Sequence, residues 1–223
     1  MGRRFLNTFT VLLLALVTVL MAYALYLSLI VVPNESSMGP VQRIFYFHVG
    51  AAIASYLSIA VVFFSSLGYL ATKRRLYDAW NVSAAELGFV FTTIVLLSGM
   101  IWGYSAWNTP FRLEPRLVSF LLLWLIFFSF VLLRSFGDRQ RIASHSAILG
   151  VLGAIMVPIM IYSVKLLPQT AQLHPQVLEK RGLQDPDMVF ALTIAILSMS
   201  LFQFVLLFVR VRLELIRQRI EEI

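Results

Sequence analysis

The sequence predicts an all-α integral membrane protein with six transmembrane helices, and three observations carry that fold class. Of the 223 residues, 60% are hydrophobic and 13% charged, with a mean hydropathy of +0.85. A soluble domain is about 45–50% apolar and about 25% charged. Six long stretches, 5–33, 44–72, 87–111, 117–133, 142–164 and 188–209, carry no Lys, Arg, Asp or Glu. The 18 Lys and Arg residues cluster between these stretches, so the pI near 10.1 reflects topology signals and no nucleic-acid surface. The composition excludes a water-soluble enzyme, a disordered tail and a free nucleic-acid binder. Runs without apolar–polar alternation argue against a porin-type barrel.

A helix rises about 1.5 Å per residue across a core of about 30 Å, so about 17–25 residues cross it. The predicted spans are roughly 5–33, 44–71, 86–104, 117–134, 142–165 and 188–210, in one polytopic membrane domain over residues 1–223. The first is too long for the h-region of a signal peptide, usually about 7–15 residues, and has no convincing A-x-A site before Pro33. It is expected to be retained. The second opens in QRIFYFHVGAA, the third follows Glu86, and the fourth lies between Arg116 and Arg134. The fifth runs from Arg141 to Lys165 and the sixth from Asp187 to Arg210. Beyond Arg210, Leu213, Ile216 and Ile220 recur at helical spacing. That stretch either continues the last helix as a solvated end or lies along the membrane surface.

Twelve of the 18 basic residues fall on one side of these spans: Arg3, Arg4, Lys73, Arg74, Arg75, Arg134, Arg139, Arg141, Arg210, Arg212, Arg217 and Arg219. The positive-inside rule places that side, with both termini, in the cytoplasm. Three loops then face out, roughly 33–43, 103–116 and 165–187. Within the cytoplasm, TKRRLYDAW (72–80) and RSFGDRQRIASH (134–145) read as short charged connectors, the first anchored by an interfacial Trp80. The absence of a transit peptide and the short basic MGRR start point to a bacterial plasma (inner) membrane.

With no Cys in the chain, disulfides, thiolate nucleophiles, Cys-ligated metals and a thioether link to haem are excluded. Only three His are present. His145 reads as a solvated loop residue. His48, four residues after Ile44, lies about one turn below the outer surface, where an ionisable group marks either a site or a structural hydrogen bond. His174, in LLPQTAQLHPQ, reads on its own as an ordinary outer-loop residue. Topology puts His48 and His174 on one membrane face, and two imidazoles flanking a planar macrocycle make a bis-His haem site. The outer loop GMIWGYSAWNTPFRLEPRLVSF (99–120) holds Trp102 and Trp107, which are either an interfacial aromatic belt or a platform for an apolar ring. Pro110 and Pro115 interrupt it, so it is not expected to be one regular helix and would lie flat on the outer leaflet. Arg112, Glu114 and Arg116 are either a structural Arg–Glu pairing or partners for carboxylates such as haem propionates.

Three blocks in this order resemble the haem exporter protein C family of cytochrome c maturation, over essentially the whole chain. QRIFYFHV (42–49) is similar to the segment around the family's first axial His. ELGFVFTTIVLLSGMIWG (86–103) is similar to the span leading into its tryptophan-rich segment, and VPIMIYSVKLLPQTAQLH (157–174) to its fifth span and following loop. The resemblance implies that His48 and His174 are axial ligands of a non-covalent haem b. It also implies a haem-contacting loop over 102–119, with Trp102, Gly103, Trp107, Phe111, Glu114 and Arg116 in contact. Pro110, Phe111 and Leu113 stand where the family usually has Trp, and Glu114 where it has Asp.

The function implied is holding haem at the outer face for transfer to a membrane-tethered haem chaperone. The implied partners are the membrane subunits of an ATP-driven haem-handling complex, because this chain has no phosphate-binding loop. No Ser–His–acid set, carboxylate dyad or metal-hydrolase spacing points to an enzyme. Two other readings stand beside it: a transporter subunit moving haem or another hydrophobic solute, and a structural assembly subunit that has lost haem binding.

Overall fold

The computed structural model describes residues 2–35, 38–138, 141–159, 162, 183 and 185–220, with the side chains of residues 2–7 and 9 outside that description. α1 (Gly2–Tyr26) runs directly into a π-helical turn, Leu27–Val31, closed where the Val32 N–H meets the Leu27 carbonyl at 3.0 Å. After a 3₁₀ turn at Pro40–Arg43 come α2 (Ile44–Thr72), α3 (Arg75–Trp107), α4 (Pro115–Phe136), α5 (Ile142–Ala154) and α6 (Pro186–Ile220). Six helices are long and apolar enough to cross a membrane, the fifth continuing past α5 to Ile159. Among the described residues there is no strand, only an isolated bridge between Glu35 and Gly39.

Several helix boundaries differ from those read in the sequence. The third span, expected at 86–104, is a single helix from Arg75 to Trp107. Most of the expected connector TKRRLYDAW is therefore helix. Only Lys73 and Arg74 join α2 to α3, with Lys73 in the left-handed conformation (φ 55°) and its N–H closing α2 on the Tyr69 carbonyl. Trp80, expected as a surface anchor, packs partly buried against the main core. The outer loop, expected at 103–116, is shorter. α3 continues through Trp107 and stops at Asn108, also left-handed (φ 54°), and Pro115 starts α4. Proline is favoured in a first helical turn, where its missing N–H is no loss.

Charge pairing explains the longer helices. Glu86 lies within α3 because Arg210 of α6 grips it through Nε and Nη2, at 2.6 and 2.8 Å, while Arg210 Nη1 reaches Glu214 at 3.1 Å. Arg134 of α4 holds Asp78 of α3 through both guanidinium Nη atoms, and Gln218 donates to the same carboxylate at 3.2 Å. Glu86 and Arg210, expected at span boundaries, sit paired inside continuous helices. At about 1.5 Å per residue, α3 and α6 each exceed a 30 Å core by about 20 Å. The amphipathic stretch after Arg210 accordingly continues α6 as far as Ile220.

α2 and α3 form an antiparallel pair along most of their length, and α2 also packs on α5 and α6. Small residues line the buried face of α2, with Ala51, Ala54, Ser55, Ser58 and Ser66 buried, which lets neighbouring backbones approach closely. At Gly50 an added Cβ would lie 3.1 Å from the Ala195 carbonyl of α6. Ser58 and Ser65 donate to carbonyls of their own helix, and Gln203 of α6 donates to Ser58 at 3.3 Å. Phe91, Leu123, Phe127 and Phe130 fill the main core, while Tyr46, Ala24, Met188 and Ala191 close a second cluster where α1, α2 and α6 meet.

Candidate functional site

Tyr46 and His48 are two residues apart, so they point to nearly opposite sides of α2. Tyr46 is fully buried in the cluster with α1 and α6, its hydroxyl accepting from Gln42 Nε2 at 2.8 Å. This fixes the first turn of α2 and turns His48 toward α3. There, His48 Nδ1 lies 3.0 Å from Ser98 Oγ. The Ser98 hydroxyl gives its own proton to the Ile94 carbonyl at 2.6 Å, so toward the imidazole it acts as an acceptor and Nδ1 is the donor. Gly99 supplies the remaining room: a Cβ there would stand 3.1 Å from His48 Cε1.

Trp102 follows Ser98 by four residues on α3, about 6 Å along the same helix face. Trp102 is 8% exposed, and its ring meets Trp107 edge-on, with centroids 4.8 Å apart. Gly103 is buried beneath the returning chain, since a Cβ would meet the Thr109 carbonyl at 3.0 Å and Trp107 Cε3 at 3.6 Å. From Asn108 to Glu114 the chain is non-helical, and the Thr109 hydroxyl donates to the Phe111 carbonyl at 3.2 Å. Phe111 is partly buried, whereas Leu113 is 90% exposed.

Glu114 is only 4% exposed and occupies the position before α4, its carbonyl receiving the Val118 N–H at 2.9 Å. Arg116 lies in the first turn of α4, partly buried and within electrostatic reach of the Tyr56 hydroxyl on α2. Tyr56 in turn packs edge-on against Phe120, centroids 6.0 Å apart, which ties the start of α4 to α2.

His48, Trp102, Gly103 and Trp107 thus gather along α2 and the last turns of α3, with Phe111, Glu114 and Arg116 on the connection that follows. His174 and most of the expected outer loop 165–187 lie outside the described residues, as does Arg139. His145 is exposed at the opposite end of the bundle, in the first turn of α5. Among the described residues no group of three His, Cys, Asp or Glu is arranged to hold a bare metal ion. An imidazole held by a hydrogen bond at Nδ1 can ligate a metal that brings its own equatorial ligands, as haem iron does. An aromatic pair one turn away suits the face of such a macrocycle.

The family described as "Heme exporter protein C" matches residues 2–223. The chain belongs to that family. The relative of that name in Bradyrhizobium diazoefficiens is 31% identical over 207 residues, 92% of this chain and 76% of the relative. The Escherichia coli K12 protein of the same name is 34% identical over 137 residues, 60% of this chain and 55% of that one. A "Putative cytochrome c biosynthesis ccmC-like mitochondrial protein" of Marchantia polymorpha is 34% identical over 145 residues, 65% of this chain and 61% of that one. As a member of the family, the chain is a multi-pass membrane protein of haem handling and cytochrome c biogenesis.

Sequence reasoning missed Ser98 and Gly99. Both lie in ELGFVFTTIVLLSGMIWG (86–103), where a Ser–Gly pair in an apolar span reads as close helix packing. The available signal was spacing: Ser98 precedes Trp102 by one helical turn.

Proposed function

We propose that the chain serves cytochrome c maturation by holding non-covalent haem b at the outer face of a bacterial plasma membrane. From there it presents haem to a membrane-tethered chaperone, working beside the membrane subunits of an ATP-driven complex. Family membership supports the coarse role. The single observation that carries the finer reading is the His48 imidazole fixed by Ser98 one turn along α3 from the Trp102–Trp107 pair.

In this reading His48 and His174 supply the two axial nitrogens. Trp102, Trp107 and Phe111 pack on the macrocycle, Gly103 keeps the returning chain close, and Arg116 meets a propionate while Glu114 orients the start of α4. Covalent chemistry belongs to haem and chaperone; this chain binds, orients and shields. The charge split between loops supports an orientation with both termini cytoplasmic.

A visible spectrum and pyridine haemochrome assay on detergent-purified protein test the site. Wild type is expected to carry low-spin six-coordinate haem. His48→Ala or His174→Ala alone is expected to lose that signature and regain it with added imidazole, and an unchanged spectrum in either would remove that ligand from the proposal. Orientation is tested separately with single cysteines on this Cys-free chain. A probe at Ser105 is expected to label from outside in intact cells and one at Arg74 only after permeabilisation; the reverse pattern overturns the orientation.

A further inference from the structure

We infer that Ser98 is a positioning residue for His48, fixing the imidazole tautomer and ring direction that iron ligation needs; this rests on the reading of His48 as an axial ligand. A histidine binds metal through a nitrogen lone pair, and which nitrogen carries it is set by the hydrogen bond at the other. Three distances assign the roles. Ser98 Oγ is 2.6 Å from the Ile94 carbonyl and 3.3 Å from the Val95 carbonyl, so its proton is directed back along its own helix. The same oxygen is 3.0 Å from His48 Nδ1. With that proton committed to a carbonyl, the hydroxyl accepts, Nδ1 carries the hydrogen, and the lone pair is at Nε2. The Val95 carbonyl is a further hydrogen-bond acceptor for the ring.

Gly99 fixes the rest of the ring's pose. The backbone of α3 comes so close that a Cβ at this position would be 3.1 Å from Cε1. The Nδ1–Cε1 edge therefore faces α3, and the Nε2–Cδ2 edge is turned away from it. Serine hydroxyls bonded to their own helix occur elsewhere in this bundle, at Ser58, Ser65 and Ser129. What sets Ser98 apart is the imidazole on its remaining acceptor side.

The test compares haem affinity and ferric spin state in detergent for Ser98→Ala, Ser98→Thr, His48→Ala and the double variant His48→Ala, Ser98→Ala. Loss of a group orienting a metal-bound His costs about 10–100-fold in affinity. With Val95 still available, Ser98→Ala is expected near 10-fold, with a high-spin fraction that added imidazole converts to low-spin. Threonine keeps the hydroxyl and the same bond to Ile94, so Ser98→Thr should restore both affinity and spin state. In the His48→Ala background, removing Ser98 should change nothing further. Gly99→Ala, which leaves Ser98 intact and crowds Cε1, should raise the high-spin fraction by displacing the ring. An Ser98→Ala protein with wild-type spectrum and affinity overturns the inference while His48 remains a ligand. Equal losses from Ser98→Ala with and without His48 overturn it too, because the hydroxyl would then act elsewhere. A wild-type spectrum in His48→Ala instead overturns the ligand assignment on which the inference stands.

Discussion

At one end of the bundle Asp78 meets Arg134 and Gln218, and Glu86 and Glu214 share Arg210; at the other, His48 meets a serine hydroxyl and the edge of a glycine. Charges in or near a bilayer are expensive unless paired. The first end meets that demand with reciprocal ion pairs that tie α3, α4 and α6 together. The second uses one group that is stable uncharged, with its donor fixed and an aromatic pair beyond. Polar groups in the same helices therefore divide by chemistry: matched charges hold the scaffold, and an oriented neutral imidazole suits a ligand-binding role. Variants at the two ends should separate stability from haem binding.

The largest expected effect is on the scaffold. Asp78→Ala leaves the Arg134 guanidinium without its carboxylate at a position where both side chains are mostly buried, 12% and 15% exposed. Removing one partner of such a pair costs about 3 kcal/mol. Thermal unfolding in detergent should register this as a clear drop in Tm, while haem carried by the surviving folded protein keeps its wild-type band positions. A shifted spectrum with unchanged Tm would reverse the assignment of the two ends.

This contrast also marks how far the sequence was legible. The six spans were readable because each is an unbroken uncharged run, a demand the hydrocarbon makes of the chain itself. Their ends were not. Glu86 and Arg210 look like boundaries until each is known to face the other across 124 residues, and Asp78 is the same with Arg134. Trp102 and Trp107 were legible as candidates, yet not as the end of a helix, because the stop comes from the left-handed Asn108 and from Pro115 seven residues on. Ser98 was the least visible of all, since its role depends on a neighbour 50 residues earlier. His174, on which the second axial position depends, falls outside the described residues.

Trp107→Ala should have the next largest effect, and at the histidine end. It removes the ring against which Trp102 packs edge-on and, in the proposed site, a face for the macrocycle. A lost aromatic contact of about 2 kcal/mol corresponds to roughly 30-fold weaker haem binding. Haem titration should show that loss, with Tm falling less than in Asp78→Ala. A Tm loss as large as that of Asp78→Ala, with affinity unchanged, would make the Trp pair a scaffold element.

The smallest effects distinguish two neighbours at the start of α4. Arg116 is partly buried near Tyr56. If it meets a propionate, Arg116→Lys keeps the charge but loses the planar fork, for about 1 kcal/mol or roughly 5-fold in haem affinity. Glu114 differs in being almost wholly buried at the helix entrance, its carbonyl already taken by Val118. A carboxylate beside another carboxylate is repelled, so its charge acts better on the positive end of α4 than on haem. Glu114→Gln keeps the shape and removes that charge, which at a helix N-terminus is worth about 0.5 kcal/mol. The expected result is a slight fall in Tm with haem affinity within about twofold of wild type. Titrating both variants under the same detergent conditions orders them directly. A larger loss of haem from Glu114→Gln than from Arg116→Lys would move the propionate contact away from Arg116 and make the acidic residue the one that governs the loop.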